Sequence, residues 1–115
     1  LNIIHLKDEF ARNLSSGQQK LLDFGMVLMP EPELMLLDEP TAGVVAAMRE
    51  RIMDYIRELN GRGQTFIVIE HNMDVVMNLC ERVVVFDYGE KLAEGTPKEI
   101  QNNARVIDAY FGAGE

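Results

Sequence analysis

LMLLDEP, Leu34 to Pro40, is the stretch whose reading decides the fold of this chain. Four apolar residues in a row, Leu34 to Leu37, close on Asp38, Glu39 and Pro40, which suits a strand buried on both faces that delivers two acids to its carboxyl end. On its amino-terminal side, Ser16 to Met29 reads as a helix with Leu21, Leu22, Gly25, Val27 and Leu28 on its apolar side and Pro30 and Pro32 ending it. On the other side, Met48, Ile52, Ile56 and Leu59 recur at helical spacing opposite Arg49, Arg51, Arg57 and Glu58, with Asn60-Gly61 as the stop.

Phe66 to Ile69 is the next apolar run. Its separation from Leu34–Leu37 by one helix is the βαβ pattern of a parallel sheet with a right-handed crossover. Further on, Asn72 to Leu79 fits a short helix, Val83 to Phe86 a third buried strand, and Lys91 to Ala93 a short strand reached through a turn at Tyr88-Gly89. Pro97 to Phe111 reads as one or two short helices, with Thr96 as cap, Pro97 at the first position and Glu99 at the capping-box position. No repeat, low-complexity tract or linker interrupts the chain.

Composition narrows the function classes. A chain of 115 residues, 47% hydrophobic, holds at most one domain with a modest core. A formal net charge of -8 argues against a nucleic-acid footprint, which needs clustered Lys and Arg. The apolar runs are far short of the roughly 20 residues that cross a bilayer, and Leu1 to Glu9 has no signal-peptide core, so a soluble chain that is not exported is expected. The single cysteine, Cys80, reads as a half-buried thiol at a helix end, without a base placed to activate it.

Three segments carry chemistry. Parallel sheets bind ligands beyond the carboxyl ends of their strands, where Asp38, Glu39 and His71 of VIEH (Val68–His71) fall. An acid after a buried strand can hold Mg²⁺ through water, and the next can orient or deprotonate an attacking water. A neutral histidine there can donate one ring N–H to a phosphate while its other nitrogen is fixed by a neighbour. LSSGQQK, Leu14 to Lys20, leads Ser15, Ser16 and Gly17 into a helix, where free N–H groups, the helix dipole and a hydroxyl form an anion seat.

Each segment alone has an ordinary use: a polar turn, a solvated histidine, a serine N-cap. Their order and spacing together favour the nucleotide reading. A phosphate loop needs Gly, then Lys, then Ser or Thr, yet Lys7, Lys20, Lys91 and Lys98 follow Leu6, Gln19, Glu90 and Pro97.

Taken together, the segments resemble the C-terminal half of an ATP-binding-cassette (ABC) ATPase subunit. Leu14–Gln18 resembles the LSGGQ signature, Leu34–Glu39 the Walker B strand and His71 the switch histidine. PTAG (Pro40–Gly43), EHNMDVVM (Glu70–Met77), EGTPKEI (Glu94–Ile100) and VIDAYFG (Val106–Gly112) resemble the ATP-binding subunits of branched-chain amino acid importers. The resemblance departs at Ser16, where the signature has glycine, and at Val44, Val45 and Ala46, where the family usually places Asp or Asn, often followed by Pro.

The resemblance implies an α/β fold: a partial P-loop NTPase-type parallel sheet with flanking helices, lacking the Walker A strand. Residues 1–30 would end the helical signature subdomain, and residues 31–115 would form the C-terminal part of the RecA-like core with its C-terminal helices. It implies ATP and Mg²⁺ as cofactors, with Asp38 holding Mg²⁺ through water, Glu39 activating water and His71 contacting the γ-phosphate. Ser15, Gly17 and Gln18, with the Ser16 backbone, would contact ATP held by a second ATP-binding subunit in a head-to-tail dimer.

Membrane permease subunits would be the other partners, on the cytoplasmic face of the membrane. Without a phosphate loop, the chain alone is expected to lack ATPase activity. Without the Walker A strand, Leu36, Ile67 and Val84 are expected to be poorly covered, so the chain should self-associate, pair with an N-terminal fragment or be partly disordered. Two alternatives remain: a non-catalytic dimerisation or interaction fragment, and a soluble ABC-type ATPase of DNA maintenance.

Overall fold

The computed structural model describes residues 1–110 and Gly112. Two short 3-10 turns, Ile4–Leu6 and Ala11–Asn13, precede α1 (Ser16–Leu28), β1 (Leu34–Asp38), α2 (Ala46–Gly61) and β2 (Thr65–Ile69). There follow α3 (Met73–Leu79), β3 (Val83–Asp87), β4 (Glu90–Gly95), α4 (Pro97–Gln101) and α5 (Ala104–Tyr110). Phe111, the end of the helix expected from sequence, lies outside the described residues. The chain divides into two compact units, Leu1–His71 and Asn72–Glu115.

In the first unit, α1 starts on a capping box: Ser15 accepts from the Gln18 N–H while Gln18 reaches back to the Ser15 N–H. Its buried face is Gly17, Leu21 and Phe24, not the stripe through Leu22 and Val27, which are exposed. This helix is apolar around most of its circumference, so periodicity alone does not select the face. Phe24 settles it by stacking on Phe66 of β2, with ring centroids 6.4 Å apart. The next helix, α2, buries Ile52, Met53 and Ile56 and runs through Gly61. Its stop lies two residues beyond the expected one, where Gly63 takes φ 102.

β1 and β2 pair in parallel, Leu34 with Thr65 through Asp38 with Ile69. The expected burial of β1 on both faces does not hold. Met35 is 1% exposed, whereas Leu36 and its register partner Ile67 are 69% and 53% exposed. Side chains alternate across a strand, so Leu34, Leu36, Ile67 and Ile69 form one uncovered apolar face. The poor cover expected at Leu36, Ile67 and Val84 is found: all three are exposed.

The second unit is built on a hairpin. β3 and β4 pair antiparallel across Tyr88 and Gly89, whose φ values of 46 and 81 are those of a primed two-residue turn. Thus β3 is not a strand buried on both sides. It alternates, with Val83 and Val85 buried and Val84 and Phe86 exposed. Val76, Val83, Val85, Ile100 and Val106 form the core of this unit, with Cys80 half-buried against it. Helix α4 has the expected cap: Thr96 and Glu99 complete a capping box and Pro97 opens the helix.

Candidate functional site

Parallel pairing brings the carboxyl ends of β1 and β2 to one edge of the sheet, so Asp38 and Glu39 emerge there together with Glu70 and His71. The chain turns sharply at Glu39, which adopts φ 46, a left-handed conformation that costs a non-glycine residue about 1–2 kcal/mol. Three hydrogen bonds hold it. Glu39 N–H donates to the Ile69 carbonyl at 2.8 Å, and the Glu39 carbonyl accepts from Ala42 N–H at 3.1 Å and from Lys20 Nζ at 3.2 Å.

This turn aims the Glu39 carboxylate at His71: Oε1 lies 3.1 Å from Nδ1. Both side chains are substantially exposed, so the contact adds little stability. Its value is geometric. With Nδ1–H donating to Glu39, an imidazolium can also donate Nε2–H to a phosphate oxygen, whereas the neutral form of that tautomer offers Nε2 as an acceptor, suited to water.

A second clamp lies just beyond the ends of the two strands. The carboxylate of Glu70 accepts from Thr41 Oγ1 at 2.6 Å and from Thr41 N–H at 3.2 Å, and Thr41 is 4% exposed. Lys20, Thr41 and Glu70 were assigned no role from sequence. Glu70 directly precedes His71 and Thr41 follows the acid pair, but a clamp between them is visible only once the two strands pair in register.

The signature segment occupies the N-terminus of α1. Ser15 Oγ accepts from Gln18 N–H at 3.2 Å and Gln18 Oε1 from Ser15 N–H at 2.9 Å, so the cap uses both side chains as acceptors and does not use the Ser15 O–H or the Gln18 Nε2–H groups as donors. An anion would meet the first-turn N–H groups of Ser16 and Gly17, which have no intrahelical acceptor. Gly17 is buried, and a Cβ there would sit 2.6 Å from Met48 Cγ, so the glycine lets α1 approach α2. Ser16 Oγ donates to the Gly43 carbonyl at 3.4 Å. The structure brings Glu39 and His71 into contact, with Asp38 at the same sheet edge. Helix α1 meets the loop beyond that edge through Ser16 on Gly43 and Lys20 on Glu39.

Asp38 is exposed at the end of β1. Among the described residues there is no cluster of three His, Cys, Asp or Glu side chains that would cage a metal. The exposed Asp38 carboxylate, with Glu39 next in sequence, is a donor set that fits Mg²⁺, which keeps several waters and is held by one or two carboxylates together with substrate phosphates. No helix among the described residues is long and apolar enough to cross a membrane.

The chain is similar to known proteins over most of its length. A family profile described as "ABC transporter" matches residues 1–42, and one described as "Branched-chain amino acid ATP-binding cassette transporter" matches residues 90–115. The chain is 36% identical over 113 residues to a probable branched-chain amino acid transport ATP-binding protein LivG of Archaeoglobus fulgidus, covering 98% of this chain and 44% of that protein. It is 41% identical over 103 residues to the high-affinity branched-chain amino acid transport ATP-binding protein LivG of Salmonella typhimurium, covering 89% and 40%.

Among solved structures, a nucleotide-free ATP-binding cassette from an ABC transporter superposes with a TM-score of 0.87 at 36% identity, covering 94% of this chain and 44% of that one. The chain therefore spans less than half the length of the relatives it matches. With sequence and fold in agreement, the chain belongs to the ATP-binding-cassette ATPase family, close to the LivG branched-chain amino acid transport ATP-binding proteins.

Proposed function

We propose that this chain is the C-terminal portion of the ATP-binding subunit of an importer of branched-chain amino acids. Residues 1–30 end its signature subdomain and residues 31–115 belong to its ATPase core. The observation that carries the reading is the contact of Glu39 Oε1 with His71 Nδ1 at 3.1 Å, beyond the carboxyl ends of two parallel strands. In this reading Glu39 takes the proton of the attacking water, and His71 donates to the terminal phosphate and registers its departure. Asp38 holds Mg²⁺ through water. When bound, that ion neutralises charge developing on the phosphate oxygens.

Ser15, Ser16, Gly17 and Gln18 act on a nucleotide held by a second ATP-binding subunit in a head-to-tail dimer. The capping box engages Ser15 and Gln18 only as acceptors, so the Ser15 hydroxyl and the Gln18 amide group can donate to that nucleotide alongside the Ser16 and Gly17 amides. Permease subunits hold the assembly at the cytoplasmic face of the membrane and choose the cargo. LivG names the transport of branched-chain amino acids in the relatives, which supports the same cargo here.

The test is complementation. The 115-residue chain is mixed with an N-terminal fragment of an ATP-binding-cassette subunit chosen to carry a Gly-Lys-Ser/Thr loop, and Mg²⁺-dependent phosphate release is measured. Neither part alone should release phosphate. The mixture should, and Glu39→Gln should lower its rate by roughly 10²- to 10⁴-fold, the usual contribution of a general base. Release by the chain alone that Glu39→Gln abolishes would overturn the need for an outside phosphate loop. An active mixture indifferent to that substitution would overturn the role of Glu39.

A further inference from the structure

Lys20 places its charge on backbone rather than on a carboxylate. Its Nζ donates to the carbonyl of Glu39 at 3.2 Å, and Ser16 Oγ, one helical turn earlier on the same face of α1, donates to the carbonyl of Gly43 at 3.4 Å. Glu39 and Gly43 take φ 46 and 70. A left-handed residue turns its carbonyl out of the run of the chain, and α1 meets both such carbonyls of this loop. The helix whose first turn forms the anion seat therefore splints the loop that carries the acid.

We infer that Lys20 is a positioning residue: by holding the Glu39 carbonyl it fixes the left-handed turn that sets the Glu39 carboxylate against His71. The catalytic meaning of this tie rests on the reading of Glu39 as the hydrolytic carboxylate, but the tie itself does not. Glu39 N–H on Ile69 restrains the same turn from β2, and Ala42 N–H on Glu39 restrains it from within the loop. Lys20 adds a restraint from α1, through a charged donor on the Glu39 carbonyl.

The test compares the 115-residue chain with its Lys20→Met and Lys20→Arg variants by NMR, without nucleotide. In Lys20→Met, amide exchange at Glu39 and Ala42 should accelerate roughly tenfold, while the Leu21 and Phe24 amides of α1 stay within about twofold. The His71 ring-nitrogen resonances should move toward those of Glu39→Gln, which removes the carboxylate directly. Lys20→Arg should restore both readouts.

Unchanged Ala42 exchange in Lys20→Met would overturn the inference. Equal acceleration along α1, or an effect that Lys20→Arg does not reverse, would assign Lys20 to general helix stability and also overturn it. Because these readouts need no ATP, they stand apart from the complementation assay. If that assay fails while these hold, the tie survives and only its catalytic meaning is lost.

Discussion

Thr41 Oγ1 donates to Glu70 Oε1 at 2.6 Å, and Thr41 N–H reaches the same oxygen, so a buried threonine after β1 is clamped by a carboxylate after β2. Charge-assisted hydrogen bonds in a partly buried place are the stronger kind. Thr41→Val keeps the shape and removes the hydroxyl. It should lower stability by about 1–3 kcal/mol, the cost of leaving a partly desolvated acceptor short of a donor. Urea unfolding checks this, and a midpoint unchanged from the parent would show that water replaces the hydroxyl without loss.

Helix α4 carries a pH-dependent cap. Hydrogen bonds from the Thr96 backbone N–H, and then from the Thr96 hydroxyl, hold the Glu99 carboxyl below the usual glutamate range. The charged form is thus favoured in the folded chain. Its contribution is fully present above the ordinary glutamate value and is lost as pH falls through the lowered one. Amide exchange in α4, corrected for intrinsic rates, should accelerate across that acid window. Glu99→Gln should flatten the dependence while keeping an acceptor for Thr96. A variant with the parent's pH profile would place the titrating group elsewhere.

Much of this was legible in the sequence because it is local. The Thr96-Pro97-Glu99 cap, the Tyr88-Gly89 turn and the acid pair after Leu34–Leu37 each need only residues a few positions apart. What escaped depends on the partner strand or helix. Phe24 decides the face of α1 through Phe66, which lies 42 positions on (66 minus 24). Lys20 meets Glu39, and Thr41 meets Glu70, only across elements. The continuous apolar run of β1 suggested cover on both faces, but a sequence run records what a strand can bury and not what lies against it.

The uncovered face has a measurable consequence. Leu36 and Ile67 are register partners, 69% and 53% exposed, on the same side of a two-stranded sheet. Exposed apolar patches and unpaired strand edges drive association. The isolated chain should sediment as oligomers at micromolar concentration. Leu36→Lys combined with Ile67→Glu should shift it toward monomer, because the pair places opposite charges across the ladder and does not penalise the fold by repulsion. A parent chain already monomeric under these conditions would remove the face as an association surface.

Val45 stands at the start of α2. It sits at the N-cap with φ -66 and ψ 156, the extended conformation that capping residues adopt, yet no side chain caps the helix. Its carbonyl already accepts from the N–H groups of Met48 and Arg49, both at 3.0 Å, so the first turn is formed and lacks only a side-chain acceptor. Val45 is 74% exposed, so little packing is lost on replacing it, whereas its neighbour Val44 is 9% exposed. Val45→Asn should therefore stabilise the chain by about 0.5–2 kcal/mol, as its side-chain oxygen takes the Ala47 or Met48 N–H. Val44→Asn should do the opposite, since it buries an amide in place of a packed valine. Urea midpoints of the two variants, moving in opposite directions from the parent, check the assignment of the cap. A fall in both would mean that the extended backbone at Val45 depends on the valine itself.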